Sequence, residues 1–186
     1  MAKRVFTRLV DPETGEEIES PGCPGELRVK GPALFCGYYR SPEMTNTAFD
    51  ERGYYRTGDL FELAGERREL YRFVGRLKDI IVRGGFNISS EELEALLLSH
   101  PHVREAAIVG YPDATLGERV CAILALKEGT AMELTQLCDF LRKDRKVASY
   151  KVPERLLVVA ALPRNPVGKV LKRELRSLAA TSTEAR

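Results

Sequence analysis

The sequence predicts an α+β protein in which antiparallel β-hairpins come first and a small, compact α+β domain follows. Two patterns support this fold class. From Val5 to about Leu77, short β-prone runs alternate with turn sequences that contain Gly, Pro and Asp. After Lys78, helix-start signals and apolar residues at helical spacing lie between further β-prone runs.

The clearest strand of the N-terminal half is Glu26–Lys30, which alternates charged and apolar residues. The alternation places Leu27 and Val29 on one face and predicts a half-buried strand, with these two residues on its buried face. Such a face needs a partner layer. The hairpins therefore either close on themselves or form the edge of a larger sheet system that lies outside this chain.

Capping signals predict two helices in the C-terminal half. Ser89 and Glu92 have the spacing of a capping box, which predicts a helix that continues through His100. Thr130 and Glu133 have the same spacing and predict the start of a second, amphipathic helix.

A third helix and three strands complete the predicted domain. The helix is predicted at VLKRELRSL, where Leu171, Leu175 and Leu178 fall on one face. The predicted strands are Glu105–Val109, Val120–Leu126 and the run RLLVVAAL. Residues 179–186 are small and polar, and we expect them to form a flexible tail.

Composition limits the classes of partner. The 186 residues include 29 Lys and Arg against 27 Asp and Glu, which gives a formal net charge of +2. So small a charge provides no field that attracts nucleic acid or an anionic membrane, and we expect neither as a partner. The apolar runs are too short to span a bilayer, and no apolar signal segment follows Met1. We therefore expect a cytoplasmic location.

The cysteines and histidines predict neither a metal site nor a disulfide framework. The chain has four cysteines without CxxC spacing and two histidines without neighbouring ligands. These residues are Cys23, Cys36, Cys121, Cys138, His100 and His102. Buried free thiols that pack as small hydrophobic groups are the interpretation favoured for Cys121 and Cys138.

Four segments are unlike plain scaffold: YYRTGD, FVGRLKDIIVRGGFNIS, YPDATLGE and PRNPVGK. In order and spacing they resemble the C-terminal part of the adenylate-forming ligases, which include acyl-CoA synthetases, luciferases and peptide-synthetase adenylation domains. The resemblance is nearest to acyl- or aryl-CoA ligases. It implies that residues 1–77 are the incomplete β-rich end of a large adenylating domain, a portion of a distorted barrel. It also implies that residues 78–178 are the mobile C-terminal domain, and that 179–186 are the tail.

The resemblance assigns roles to three residues near the middle of the chain. Taken alone, YYRTGD predicts a turn at which Gly58 and Asp59 reverse the chain. The resemblance implies that Asp59 binds the ribose hydroxyls of ATP, and that Arg76 reaches the ribose and phosphates. It implies that Lys78 is the hinge about which the C-terminal domain turns between two half-reactions.

The remaining assigned residues lie further along the chain. Gly84 and Gly85 predict a tight turn with a positive φ at one glycine, and by resemblance this loop lines the channel for the CoA pantetheine. Lys169 is expected to open the last helix, where a cation opposes the helix dipole. The resemblance implies that it is the catalytic lysine, which stabilises negative charge during adenylation and which acetylation would silence.

Basic residues also accumulate between the second and third predicted helices, namely Arg142, Lys143, Arg145, Lys146, Lys151 and Arg155. We expect Lys151 and Arg155 to contact the phosphates of CoA. The alternative is a solvated helix end, at which cations complement the helix C-terminus.

Together these features imply the C-terminal fragment of an ATP-dependent acyl-CoA synthetase that acts on a small carboxylic acid with ATP, Mg²⁺ and CoA. The phosphate loop, acyl pocket and adenine site of such enzymes are not in this sequence, so we expect the chain to be inactive alone. Exposed strands predict association of two copies. The alternatives are an adenylation domain that loads a carrier protein, a non-catalytic binding module of the same fold, and a nucleic-acid-binding β-barrel, which the near-neutral charge disfavours.

Overall fold

The structure, a computed structural model, describes residues 4–65 and 70–182. The chain divides into two compact units, Met1–Lys78 and Asp79–Arg186. Antiparallel strands dominate the first unit and the second contains both sheet and helices, as the predicted α+β class requires. The division falls one residue after the boundary expected from the sequence, so that Lys78 ends the first unit.

The N-terminal unit is built on an antiparallel sheet of four strands in chain order. These strands are β1 (Phe6–Val10), β2 (Gly25–Lys30), β3 (Tyr55–Ala64) and β4 (Leu70–Arg76). A short helix, α1 (Pro42–Ala48), lies between β2 and β3 and was not predicted. Its signal is Pro42, which occupies the first helical turn, where its missing N–H needs no partner.

The predicted buried face of β2 is wrong. Glu26 and Arg28 are buried, with exposed fractions of 3% and 5%, whereas Leu27 and Val29 are only half-buried. The two charged side chains tolerate burial because they bind each other: Arg28 Nε donates to Glu26 Oε2 at 2.9 Å. Arg28 also donates to a carboxylate oxygen of Asp50 at 3.3 Å.

The C-terminal unit contains a sheet of five strands. They are β5 (Ile80–Arg83), β6 (Phe86–Ser89), β7 (Val103–Asp113), β8 (Gly117–Leu126) and β9 (Arg155–Val158). The strand order is β6-β5-β8-β7, and β9 pairs with β8 in parallel beside β5. Its helices are α2 (Ser90–Leu98), α3 (Leu134–Asp139) and α4 (Lys172–Thr181). A π-helical turn, Phe140–Asp144, continues α3.

Strand β8 is the centre of this unit because both of its faces are covered. Val120, Ala122 and Leu124 belong to a core cluster that includes residues of α2 and α3. Cys121 and Ile123, on the opposite face, pack in a second cluster with residues of α4. A strand covered on both sides has no polar face, which explains the uninterrupted apolar run in the sequence.

Two of the predicted helix starts can be compared with the structure. The Ser89 hydroxyl accepts the backbone N–H of Glu92, so the predicted cap of α2 is confirmed, although the helix ends at Leu98. The predicted cap at Thr130 is wrong. Glu133 is the N-cap of α3 and forms a reciprocal capping box with Gln136. Thr130 instead bonds the carbonyl of Lys127 in the preceding turn.

Helix α4 extends into the segment that was predicted to be a tail. It continues to Thr181, and Ala179 is fully buried. Arg155 donates a hydrogen bond to the carbonyl of Ala179, one of the last carbonyls of the helix. The helical part of the predicted tail therefore belongs to the domain, and 183–186 lie outside the described residues. Within the described part of the chain, no helix is long and apolar enough to cross a membrane.

The stripe predicted on the last helix divides into a buried and an exposed leucine. Leu175 is 1% exposed and Leu178 is 40% exposed. We expect Leu175→Ala to lower the free energy of unfolding of the C-terminal unit by about 2–5 kcal/mol, because it leaves a cavity. The matched change Leu178→Ala should cost less than about 1 kcal/mol. Urea-induced unfolding of the two variants measures both values, and equal losses would contradict the packing described here.

Candidate functional site

Asp59 and Arg76 face each other across strands β3 and β4. They are direct partners in the strand register, and Arg76 Nε lies 3.1 Å from Asp59 Oδ1. Both side chains are partly exposed, by 30% for Asp59 and 41% for Arg76, so each retains polar atoms that a ligand can reach. The structure therefore brings two of the predicted site residues together as a carboxylate and a guanidinium.

The segment before Asp59 is not the turn that YYRTGD predicts when taken alone. Residues 55–64 form one strand, and Gly58 adopts a φ of +69° within it. The pairing of β2 with β3 shifts register in this region, which identifies a bulge. A glycine allows the backbone to take this conformation without steric cost, so the strand continues while the direction of the next side chain changes.

Glu26 holds this bulge, and sequence reasoning missed it. Its Oε1 atom accepts the N–H of Gly58 at 3.1 Å, while its Oε2 atom accepts Arg28 Nε. The hydroxyl of Thr57 donates to the carbonyl of Leu27 at 2.6 Å, which fixes the same segment from the side. The signal in the sequence was Glu26 and Arg28, which have opposite charges and lie at alternate positions of a strand. Such a pair indicates either a solvated face or a buried face on which the two charges bind each other.

Lys78 lies at the junction of the two units, as a hinge residue would. It belongs to the 3-10 turn Leu77–Asp79 and is the last residue of the first unit. The next residue, Asp79, is buried and receives a hydrogen bond from Arg176 of α4 at 2.7 Å. The chain is thus fixed to the C-terminal unit directly after Lys78.

Gly84 and Gly85 form the turn of the β5–β6 hairpin. Both have positive φ, +55° and +82°, whereas one positive φ was predicted. Positive φ at both central residues identifies a type I′ turn, which matches the twist of antiparallel strands. Beside the turn, Arg83 pairs with Glu154, and the Phe86 ring stacks on Tyr150 with a centroid distance of 4.5 Å.

Lys169 does not open a helix, and the predicted conflict with a helix dipole is therefore wrong. Helix α4 begins only at Lys172. Asn165 closes the turn that precedes Lys169 through two hydrogen bonds. The Asn165 N–H donates to the Lys169 carbonyl, and Asn165 Oδ1 accepts the Lys169 N–H at 2.8 Å. The backbone of Lys169 is held firmly while its side chain is exposed.

The neighbouring Lys172 has the opposite environment. Its Nζ atom lies 2.8 Å from Glu94 Oε1 and 2.8 Å from the Ser90 hydroxyl, and only 17% of the side chain is exposed. Burial raises the pKa of the Glu94 carboxyl, and the Ile108 N–H and Lys172 lower it only in part. Of these two lysines near the start of α4, the ammonium of Lys172 is bound to Glu94 and Ser90, whereas the Lys169 side chain faces solvent.

The expected CoA-phosphate residues have different surroundings. Lys151 Nζ pairs with both carboxylate oxygens of Glu92, at 3.0 and 2.8 Å, on the surface of the unit. Arg155 lies over the Tyr111 ring, with its guanidinium carbon 4.1 Å from the centroid, and donates to the Ala179 carbonyl. These contacts hold Arg155 in the packing between β9, β7 and α4.

Comparisons with known proteins identify the family that this chain resembles. Residues 92–169 match the AMP-binding enzyme C-terminal domain. The chain is 45% identical over 157 residues to the medium-chain fatty-acid–CoA ligase of Escherichia coli. The aligned residues make up 84% of this chain and 27% of that enzyme. It is 42% identical over 182 residues to Triostin synthetase I of Streptomyces triostinicus, covering 98% of this chain and 33% of that protein. The ATP-bound structure of MatB from Rhodopseudomonas palustris superposes with a TM-score of 0.83 and 38% identity, over 95% of this chain and 34% of that one.

The chain matches the C-terminal part of the adenylate-forming ligases. It carries the C-terminal domain of that family, and the resemblance inferred from its four segments is confirmed. The chain spans about a third of the length of the relatives that it matches.

Two thiols of this segment are disfavoured as nucleophiles by burial. Burial raises the pKa of the Cys121 thiol to about 12 and also raises the pKa of the Cys138 thiol, which lowers the fraction of each that is the reactive thiolate. Among residues 4–65 and 70–182, no group of three or more His, Cys, Asp or Glu side chains is placed to hold a metal ion.

The two remaining cysteines provide a test of this arrangement. Cys23 and Cys36 are exposed, whereas Cys121 is fully buried. At pH 8 we expect iodoacetamide to label Cys23 and Cys36 and to leave Cys121 unmodified until the chain is unfolded in urea. Mass spectrometry of the peptides measures this, with the unfolded chain as the control. Equal labelling rates for Cys121 and Cys23 in the folded chain would disprove the assigned burial.

Proposed function

We propose that the chain is the C-terminal part of an AMP-forming acid–thiol ligase, of the acyl-CoA synthetase type. In the first half-reaction a carboxylate oxygen attacks the α-phosphorus of ATP, and pyrophosphate leaves to give an acyl adenylate. In the second, the sulfur of CoA attacks the acyl carbon, AMP leaves, and the thiol proton passes to solvent. The observation that carries the proposal is the half-exposed Asp59–Arg76 pair, held on a bulge of β3, in a chain 45% identical to a CoA ligase.

Three residues serve the first half-reaction in this proposal. The carboxylate of Asp59 accepts hydrogen bonds from the ribose hydroxyls, and Arg76 donates to the ribose and phosphate oxygens. Lys169 supplies an ammonium group that stabilises the charge which accumulates on the carboxylate and the α-phosphate. Mg²⁺ enters with the ATP phosphates as part of the substrate.

The second half-reaction uses other residues of the same chain. A change of φ and ψ at Lys78 turns the C-terminal unit, withdraws Lys169 and presents the Gly84–Gly85 turn to the pantetheine. Lys151 remains our candidate for the phosphates of CoA, which would replace Glu92, its half-exposed partner. Arg155 does not suit that role, because its guanidinium lies against the Tyr111 ring and donates a hydrogen bond to the Ala179 carbonyl.

The acid and the thiol acceptor are separate questions. The acid is selected by the adenylating region, so fatty, aromatic and amino acids are all compatible with this segment. A carrier-protein thiol is the second candidate acceptor, and the 42% identity to Triostin synthetase I favours it as a specific alternative. A non-catalytic binding module of the same fold is a further candidate function.

The proposal makes a prediction for Lys169. A hybrid is made in which this chain replaces the matching segment of the E. coli medium-chain ligase. We expect Lys169→Ala to reduce its ATP–pyrophosphate exchange by about 100- to 1000-fold, because the charge that stabilises the transition state is lost. The control is Lys127→Ala, which removes another exposed lysine of the same unit. The proposal fails if the unmodified hybrid exchanges pyrophosphate and Lys169→Ala exchanges it as fast.

The same hybrid distinguishes the two acceptors. We expect AMP release in the second half-reaction to depend on free CoA. Release that requires a phosphopantetheinyl carrier protein instead would support the carrier-loading alternative. The chain without an adenylating region should give no pyrophosphate exchange above a Lys169→Ala control. Nucleotide binding without turnover in the hybrid would favour the non-catalytic module.

We also propose that the isolated chain associates with a second copy through its exposed strands. Strands β1 and β4 are the edges of the four-stranded sheet, and the β4 residues Tyr71 and Phe73 are 37% and 49% exposed. Light scattering after size exclusion should give about twice the 20.8 kDa mass of the chain. A single species at 20.8 kDa across the tested concentrations would exclude this association.

A further inference from the structure

We propose that Glu118 is a positioning residue for the thioester-forming step. Its carboxylate, seated in the space that Gly110 leaves open, fixes the edge of the Gly84–Gly85 hairpin. The role in catalysis depends on the function proposed above, whereas the positioning of the hairpin does not. The inference gives a role to YPDATLGE, a segment of the sequence that the proposed mechanism does not otherwise use.

The first observation is the hydrogen bond that Glu118 makes to β5. The pairing between β5 and β8 is limited to Arg83 and Gly117. One residue earlier, the N–H of Val82 donates to Glu118 Oε2 at 2.9 Å. A side-chain carboxylate thus continues the hydrogen bonding of the strand edge where the backbone ladder stops, and a charged acceptor strengthens the bond.

The second observation is the fit between Glu118 and Gly110. A Cβ atom at position 110 would lie 2.6 Å from Glu118 Oε1 and 2.8 Å from Cδ. Gly110 is not among the glycines with positive φ, so its backbone conformation is open to other residues. The need for glycine therefore arises from the space that the carboxylate occupies, and any larger residue would displace Glu118.

The third observation is the turn between β7 and β8, which contacts the same hairpin. Asp113 Oδ1 accepts the N–H groups of Thr115 and Leu116 and so shapes the turn. The carbonyl of Leu116 then accepts the N–H of Gly84 at 2.8 Å. The turn and Glu118 provide two acceptors, one for Gly84 in the loop and one for Val82 in the strand.

Ile81 and Ile88 anchor the hairpin in the core, and the polar contacts position its turn end, where the outer side chains add little burial. Val82 is 49% exposed and Phe86 is 53% exposed. Loss of the Glu118 carboxylate should therefore loosen the hairpin without unfolding the core of the unit. A loop that must meet a thiol in a narrow channel loses rate when its position varies by about an ångström.

Amide hydrogen exchange of the 186-residue chain tests the positioning directly. We expect Glu118→Ala to speed exchange at Val82 and Gly84 by about 10- to 100-fold, because a hydrogen bond to a charged group is lost. Gly110→Ala should have the same effect by displacing the carboxylate, and the double variant should add little to either single change. Glu118→Gln keeps an acceptor and should restore part of the protection. Glu128→Ala, an exposed glutamate of the same unit, is the matched control.

The hybrid ligase tests the catalytic consequence. We expect Glu118→Ala and Gly110→Ala to slow thioester formation about tenfold while pyrophosphate exchange stays within about twofold of the unmodified hybrid. Equal losses in both half-reactions, or unchanged exchange at Val82 and Gly84, would overturn the inference. If the unmodified hybrid makes no adenylate, the proposed function fails, and the amide-exchange result still decides whether Glu118 holds the hairpin. Gly110→Ala and Glu118→Gln provide the same test if Glu118→Ala does not fold.

Discussion

Among residues 4–65 and 70–182, four glutamate side chains satisfy backbone N–H groups of strands, and the geometry around them follows from that requirement. Glu26 binds the N–H of Gly58, Glu94 that of Ile108, Glu118 that of Val82 and Glu154 that of Val120. A strand N–H that has left its ladder must find another acceptor, and a carboxylate supplies one without adding a strand. Three of the four also bind a cation, in the pairs Glu26–Arg28, Glu94–Lys172 and Glu154–Arg83.

These glutamates lie next to the segments to which we assign function. Glu26 holds the bulge that precedes Asp59, and Glu118 holds the strand that leads to Gly84. Bulges and type I′ turns interrupt regular pairing, so they leave donors that need such support. In the proposed function, the same irregularities direct a carboxylate or a bare backbone toward a ligand. Structural support and the proposed function thus depend on the same few hydrogen bonds.

The features that the sequence predicted correctly are encoded by residues close together in the chain. Ser89 caps a helix through a residue three positions away, and the Gly84–Gly85 turn is determined by those two residues. The apolar run of β8 was sufficient to predict a strand, but it did not identify the strands that pair with it. Asp59 and Arg76 were singled out only through the family resemblance, and their pairing was not predicted.

The features that were missed depend on which of several possible partners each side chain binds, whether that partner is near or far in the chain. Glu26 is buried because it meets Arg28 and Gly58, and Arg155 is held by Tyr111 and Ala179. The cap of α3 was misplaced because Thr130 and Glu133 both satisfy local rules, and the hydroxyl of Thr130 is taken by the carbonyl of Lys127. Propensity and spacing contain no information about such competition, since it is decided by the packed structure.

Lys169 and Lys172 show how the fold gives two nearby lysines opposite environments, of which one suits the role that we propose for Lys169. Both follow Gly168 within four residues, and spacing alone treats them alike. The structure binds the ammonium of Lys172 to Glu94 and Ser90, while at Lys169 it binds the backbone to Asn165. A lysine that acts in one half-reaction and withdraws in the next needs a fixed backbone and an uncommitted side chain, because a buried ion pair would have to break in every cycle. Lys169 meets both conditions, so the case for its catalytic role rests on its environment as well as on its position in the motif.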